Sequence, residues 1–166
     1  MDQINVNQLW QHYVDTITNH YMDFEGRVSR AHFWYYVLVN VVVGIAVGIV
    51  AGITGLHILQ TIYGLGLFLP SLGMAARRLH DVGKPTMWIL ILAIPFALEL
   101  VLGLLAIASV LLAPLLLVFL ALSTLIGLAS LVAAVVIIYF CAQPGVAGPN
   151  EYGPVPPQWP ATSAAA

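Results

Sequence analysis

Two places in this chain hold side chains that could do chemistry. The first is Arg77-Arg78-Leu79-His80-Asp81-Val82-Gly83-Lys84, a charged island that holds three of the five cations. If a helix runs through it, Asp81 lies four residues from Arg77 and three from Arg78, so it can pair with either. Together with Arg27 and Arg30 upstream, these cations outnumber the one carboxylate among them. The surplus suits a phospholipid phosphate or another anion, which arginine can grip with two N–H donors. Arg27, Arg30, Arg77, Arg78 and Lys84 are therefore the candidate lipid- or anion-binding residues, supported by Ser29, His80, Asp81 and Gly83. The structural alternative is that the cations only fix orientation and brace the loop.

The second place is Glu99, alone in an apolar run. An ionised carboxylate inside a bilayer costs about 3 kcal/mol or more. Glu99 is thus expected either on a proton or cation path or hydrogen-bonded to a carbonyl freed by Pro95. Other chemistries lack their parts. His32, His80 and Asp81 do not show the three or four ligands at defined spacing that zinc requires. Ser29 and Ser71 have capping and kink explanations, and no nucleophile is placed against His80 and Asp81. No glycine loop for phosphate is present. Cys141 is single and is expected to be structural. No cofactor and no catalytic residue is expected.

Composition says what must position these residues. Hydrophobic residues make up 61% of the 166, and charged residues only 7%, against about 25% charged in a soluble domain. The bilayer is the main solvent. A net charge of -2 supplies no cationic surface for nucleic acid. The first 30 residues lack a basic segment followed by an apolar one, so the first span is expected to act as the insertion signal.

The expected fold is an all-α integral membrane bundle of four transmembrane helices. An N-terminal amphipathic interfacial helix (1–23) precedes it, and an irregular Pro-rich tail (144–166) follows. Val6, Leu9, Trp10, Tyr13, Val14, Ile17 and Tyr21 recur at helical spacing, with Trp and Tyr suited to the membrane interface. Ser29 can N-cap the first span. Within the transmembrane domain (24–143), the spans are expected at about 33–53, 58–76, 87–112 and 115–141. Gly44, Gly48 and Gly52 follow Asn40 at four-residue spacing, a face for close helix packing, across which Asn40 can hydrogen-bond, or for a homo-oligomer. Pro70 frees the carbonyl of Gly66, and Ser71 is placed to help satisfy it. Gly83 reads as the left-handed residue that ends a helix, with Pro85 beyond it. Six of the ten prolines lie in the tail, where Pro154-Val155-Pro156-Pro157-Gln158-Trp159-Pro160 could serve a proline-reading groove. Every Lys and Arg falls before span one or between spans two and three. The positive-inside rule then places the N-terminus, the island and the tail in the cytoplasm.

Three ordered motifs carry a resemblance. They are Phe24-x-Gly26-Arg27-x-Ser29-Arg30-x-x-Phe33-Trp34, the island itself with Pro70-Ser71 before it, and Gly148-Pro149-Asn150-x-Tyr152-Gly153-Pro154. Together they are similar to the domain-of-unknown-function 805 (YhaH-like) family of small bacterial inner-membrane proteins, over about residues 20–155. The resemblance implies a multi-pass protein of the bacterial inner membrane and no established reaction, ligand or cofactor. Three departures stand out. His32 replaces the usual Glu, Pro85-Thr86-Met87-Trp88 replaces Ser-x-Trp-Trp, and roughly 30 further apolar residues follow Ile94-Pro95-Phe96. That length suggests an added span. On this reading the protein is a non-enzymatic membrane scaffold or interaction protein. The alternative is a small oligomeric transporter or channel using Glu99.

Overall fold

The protein is described by a computed structural model over residues 6–108 and 113–157. Five α-helices and one short 3₁₀ turn make up its regular structure: α1 (Val6–Thr18), α2 (Arg30–Thr54), α3 (Ile58–Asp81), the turn Thr86–Ile89, α4 (Leu90–Ala108) and α5 (Ala113–Ala142). Four helical stretches are long and apolar enough to cross a membrane: Arg30–Thr54, Ile58–Asp81, Thr86–Leu105 and Leu117–Ala142. The four-span reading therefore holds. Asn5, whose side chain suits an N-cap of α1, the connection between α4 and α5, and the residues Gln158, Trp159 and Pro160 of the proline run lie outside the described residues.

Local chemistry explains the boundaries. Ser29 is the N-cap of α2 and its side chain accepts a hydrogen bond from the His32 amide at 3.4 Å. That contact meets one of the four orphan N–H groups at a helix start without the lost capping-box Glu. α3 runs five residues beyond the expected end at Ala76, so the island is helical rather than a loop. It closes in a Schellman motif: Lys84 N–H donates to Leu79 O at 2.8 Å and Gly83 N–H to His80 O at 3.1 Å. Gly83 sits at φ 72°, a conformation costly for residues with a Cβ.

α2 and α3 form one antiparallel hairpin. Tyr63 O–H is shared between Asn40 O at 2.9 Å and Asn40 Oδ1 at 2.5 Å, the cross-helix bond that Asn40 was expected to make. A Cβ on Gly44 would lie 3.4 Å from the Tyr63 ring, and one on Gly48 would lie 2.9 Å from Gln60 Nε2. Two of the three ladder glycines thus face the chain's own α3, while Gly52 has open space beside it. α4 and α5 form a second hairpin, with Trp88 edge-on to Phe140. α3 continues through Pro70. The Gly66 carbonyl that the proline ring frees accepts from Tyr21 O–H at 2.6 Å. Ser71 therefore does not serve it; its hydroxyl pairs with Tyr36 at 3.0 Å. A phenol arriving from the N-terminal segment outcompetes the local serine.

The core gathers at one end of the bundle. Tyr13, Phe33, Tyr36, Met74, Leu79 and Cys141 are buried together there. Toward the other end, Ile45, Ile49, Ile53, Ile58 and Ile62 are exposed. So much exposed aliphatic surface fits lipid as the solvent and not water. α1 rests on α2 and α3 at the core end. Tyr13 stacks on Tyr36 at 5.5 Å, and the His12 and His32 rings meet edge-on at 3.5 Å.

Candidate functional site

The island becomes the centre of a buried polar hub. Its keystone is Asp81, in the last turn of α3. Arg27, from the turn before α2, donates from Nε and Nη2 to Asp81 Oδ1 at 3.1 and 2.9 Å. Arg78, one turn back on α3, donates to Asp81 Oδ2. The side chains of Arg27, Arg78 and Asp81 are 1%, 0% and 4% exposed. Buried ions of this kind persist only when paired and further hydrogen-bonded, and these are. Arg27 Nη1 reaches Gly148 O at 2.7 Å, and Nη2 reaches Val146 O at 2.8 Å. Arg78 donates through Nε to Cys141 O at 2.9 Å and through Nη2 to Gln143 O.

These acceptors belong to the end of α5 and the segment after it. One carboxylate and two guanidinium groups thus tie together the turn before α2, the end of α3 and residues 141–148. The segment returns the contact: Val146 N–H donates to Asp81 O at 2.8 Å. Asn150 Nδ2 donates to His80 O at 2.9 Å, and Tyr152 stacks flat on His80 at 3.9 Å. His80 Nδ1 meets Gly26 O at 3.0 Å and Nε2 meets Thr86 Oγ1 at 2.6 Å. A carbonyl can only accept, so Nδ1 carries the proton in the first contact. Gly145 passes so close that a Cβ there would overlap the Asp81 carboxylate.

Arg77 takes a different route. It pairs with Asp23 at 3.4 Å, and its own carbonyl accepts from Val28 N–H at 3.1 Å. Asp81 therefore braces Arg78 and Arg27, not Arg77. A helix places Arg78 and Asp81 together, but only the tertiary fold could bring in Arg27. Of the five cations, Arg30 at the first position of α2 is exposed, and Lys84 lies with Nζ 5.3 Å from the centroid of the Phe140 ring. Asp23, Gly145, Asn150 and Tyr152 complete the hub and were not among the sequence candidates. Asn150 and Tyr152 stood in the third motif, with nothing in the spacing to couple them to His80.

Glu99 is far from the hub. With Phe68, Ser71, Leu72, Phe96 and Ser130 it lines a cavity of about 510 Å³ between α3, α4 and α5. The expected bond from Glu99 to a carbonyl freed by Pro95 does not occur among the described residues. No group of three His, Cys, Asp or Glu side chains suited to a metal occurs among them either. Cys141 is buried, as expected of a structural cysteine.

Residues 21–154 match the family described as protein of unknown function (DUF805). The chain belongs to this family. The matched range contains Arg27, Asp81, Val146, Asn150 and Tyr152, so the family region and the hub coincide. The chain is 38% identical over 88 residues to the inner membrane protein YhaI of Escherichia coli (strain K12), covering 52% of this chain and 74% of YhaI. It is 27% identical over 150 residues to the inner membrane protein YhaH of the same strain, covering 87% of this chain and 94% of YhaH. No solved structure matches it. This is an inner-membrane protein of a family without assigned activity.

Proposed function

We propose that the protein is a non-enzymatic membrane scaffold whose hub-bearing face lies in the cytoplasm and contacts anionic lipid headgroups. The observation that carries this reading is the division of labour among the five cations. Arg27, Arg77 and Arg78 spend their charge on Asp81, Asp23 and backbone carbonyls. Arg30 and Lys84 keep theirs at the hub end. The lipid clamp, read from sequence as all five cations with Ser29, His80, Asp81 and Gly83 in support, narrows to Arg30 and Lys84. The other seven residues hold those two in place.

The cytoplasmic orientation rests on the positive-inside rule, since all five cations gather at one end of the bundle. Residues 143–153 fold onto the hub, which supports reading this part of the tail on the same side. α1 is read as interfacial, because Val6 and Trp10 stay exposed beside the apolar face of α2 and Trp favours that depth. Self-association through Gly44, Gly48 and Gly52 would centre on Gly52, whose flank is open.

The test is lipid co-purification in mild detergent. Arg30→Gln combined with Lys84→Gln should remove most bound anionic phospholipid while the protein still inserts and stays monodisperse. Unchanged anionic lipid in that variant would sink the headgroup reading.

A further inference from the structure

The cavity between α3, α4 and α5 poses a question the hub does not answer. All three helices are long and apolar enough to span the membrane. At 1.5 Å rise per residue, Ser71, Glu99 and Ser130 each lie roughly 13–18 Å from the hub-side ends of their helices, so they share one level. The walls are otherwise apolar, and Phe68 and Phe96 stack at 4.1 Å with 18° between their planes. Both serine hydroxyls are already engaged. Ser130 donates to Ile126 O at 2.8 Å, and Ser71 pairs with Tyr36. Glu99 has no hydrogen-bond partner or counter-ion among the described residues.

An acid in such surroundings is expensive, and a site that keeps one marks function more often than packing. The missing partner must satisfy three conditions. It must bring positive charge or a strong donor to Glu99. It must present an apolar body to the remaining walls. It must suit a volume of about 510 Å³, which falls within the usual range for small-molecule sites. A bare metal ion fails the second condition, and it would also want several oxygen ligands where one carboxylate stands. An anion fails the first. A purely apolar occupant leaves the carboxyl unpaired.

We propose that this cavity binds an amphiphilic organic cation, an amine or onium centre on an apolar body, with Glu99 as its counter-ion. The Phe68–Phe96 pair supplies ring surface for the charged centre and its substituents, since cations are attracted to aromatic faces. The site is separate from the headgroup-binding face and does not depend on it.

The experiment uses the full chain in phosphatidylcholine nanodiscs and two probes, tetraphenylphosphonium and triphenylmethane, which has neither charge nor donor, in equilibrium dialysis. The wild type should bind tetraphenylphosphonium saturably. Glu99→Gln should weaken it about tenfold or more, the scale of one lost charge contact. Glu99→Asp, which keeps the charge, should bind more tightly than Glu99→Gln, and triphenylmethane should not respond to Glu99→Gln. Phe96→Leu leaves the carboxyl in place and should weaken the cation severalfold, which keeps the test open if Glu99→Gln fails to fold. Absence of saturable cation binding to the wild type would overturn the proposal. So would equal binding by Glu99→Gln, or loss of both probes in parallel, which would mark an apolar cavity filled by lipid chains.

Discussion

Replacing Asp81 with Asn is the most informative single perturbation. The side chains are nearly the same shape, so packing is kept and charge is removed. In the folded protein Asp81 accepts two bonds from Arg27 and one from Arg78, all three groups being almost wholly buried. The variant leaves two guanidinium ions without a counter-charge, and the new NH₂ group points a donor at one of them. Breaking a buried ion pair by removing one partner costs about 3–5 kcal/mol. That is a large part of the 5–15 kcal/mol that holds an ordinary domain together. The assay is unfolding in mixed micelles of mild detergent and SDS, paired with limited proteolysis. The expected result is a loss of about 3–5 kcal/mol, with the chain after Ala142 becoming cleavable first, because Arg27 and Arg78 hold its carbonyls. A loss below about 1 kcal/mol, the range of an exposed pair, with the segment still protected, would refute the reasoning.

Gly145→Ala should release the same segment without touching a charge, because its Cβ meets a carboxylate pinned from two sides; a cost of about 1–3 kcal/mol is expected, read by the same proteolysis. Tyr21→Phe removes the donor to the carbonyl freed by Pro70 and should cost about 1 kcal/mol, measured by unfolding, with Ser71→Ala not reproducing the effect at Gly66. Burial holds the His12 imidazole down, from an ordinary 6.5 to about 4. Asp15 faces it from α1, His20 from the turn after α1, His32 from α2 and Arg77 from α3. A lowered histidine means that the undocked state binds more protons, so α1 docking is fully stable above about 6.5 and weakens as pH falls toward about 4. Protease release of α1 followed across that window should show the decline, and His12→Gln should make it shallower; docking that strengthens on acidification would contradict the assignment.

The four apolar spans were legible in the sequence because hydropathy acts over long, simple stretches. Ser29 as a cap, Gly83 as a left-handed stop and Asn40 as a cross-helix partner were readable for the same reason: each depends on a few neighbours. The hub was readable only in part. Helical spacing offers Asp81 to Arg77 and Arg78 alike. The choice between them follows from which side of α3 faces Arg27 and which faces Asp23, and no local period encodes that. The Gly66 carbonyl shows the same limit. Pro70 signals that a carbonyl is freed, but the donor that reaches it lies 45 positions away. The surplus of positive charge seen in the sequence was a count of side chains. Asp23 and backbone carbonyls from residues 141–153, both outside that count, absorb part of it.

Arg27, Arg78 and Asp81 form a closed junction and not an open binding surface. Amide hydrogen exchange at Val146 tests it most directly, because that N–H is bonded to the Asp81 carbonyl at 2.8 Å. Strong protection is expected in the native protein, lost together with that of Val28 in Asp81→Asn. Rapid exchange at Val146 in the native protein would contradict it.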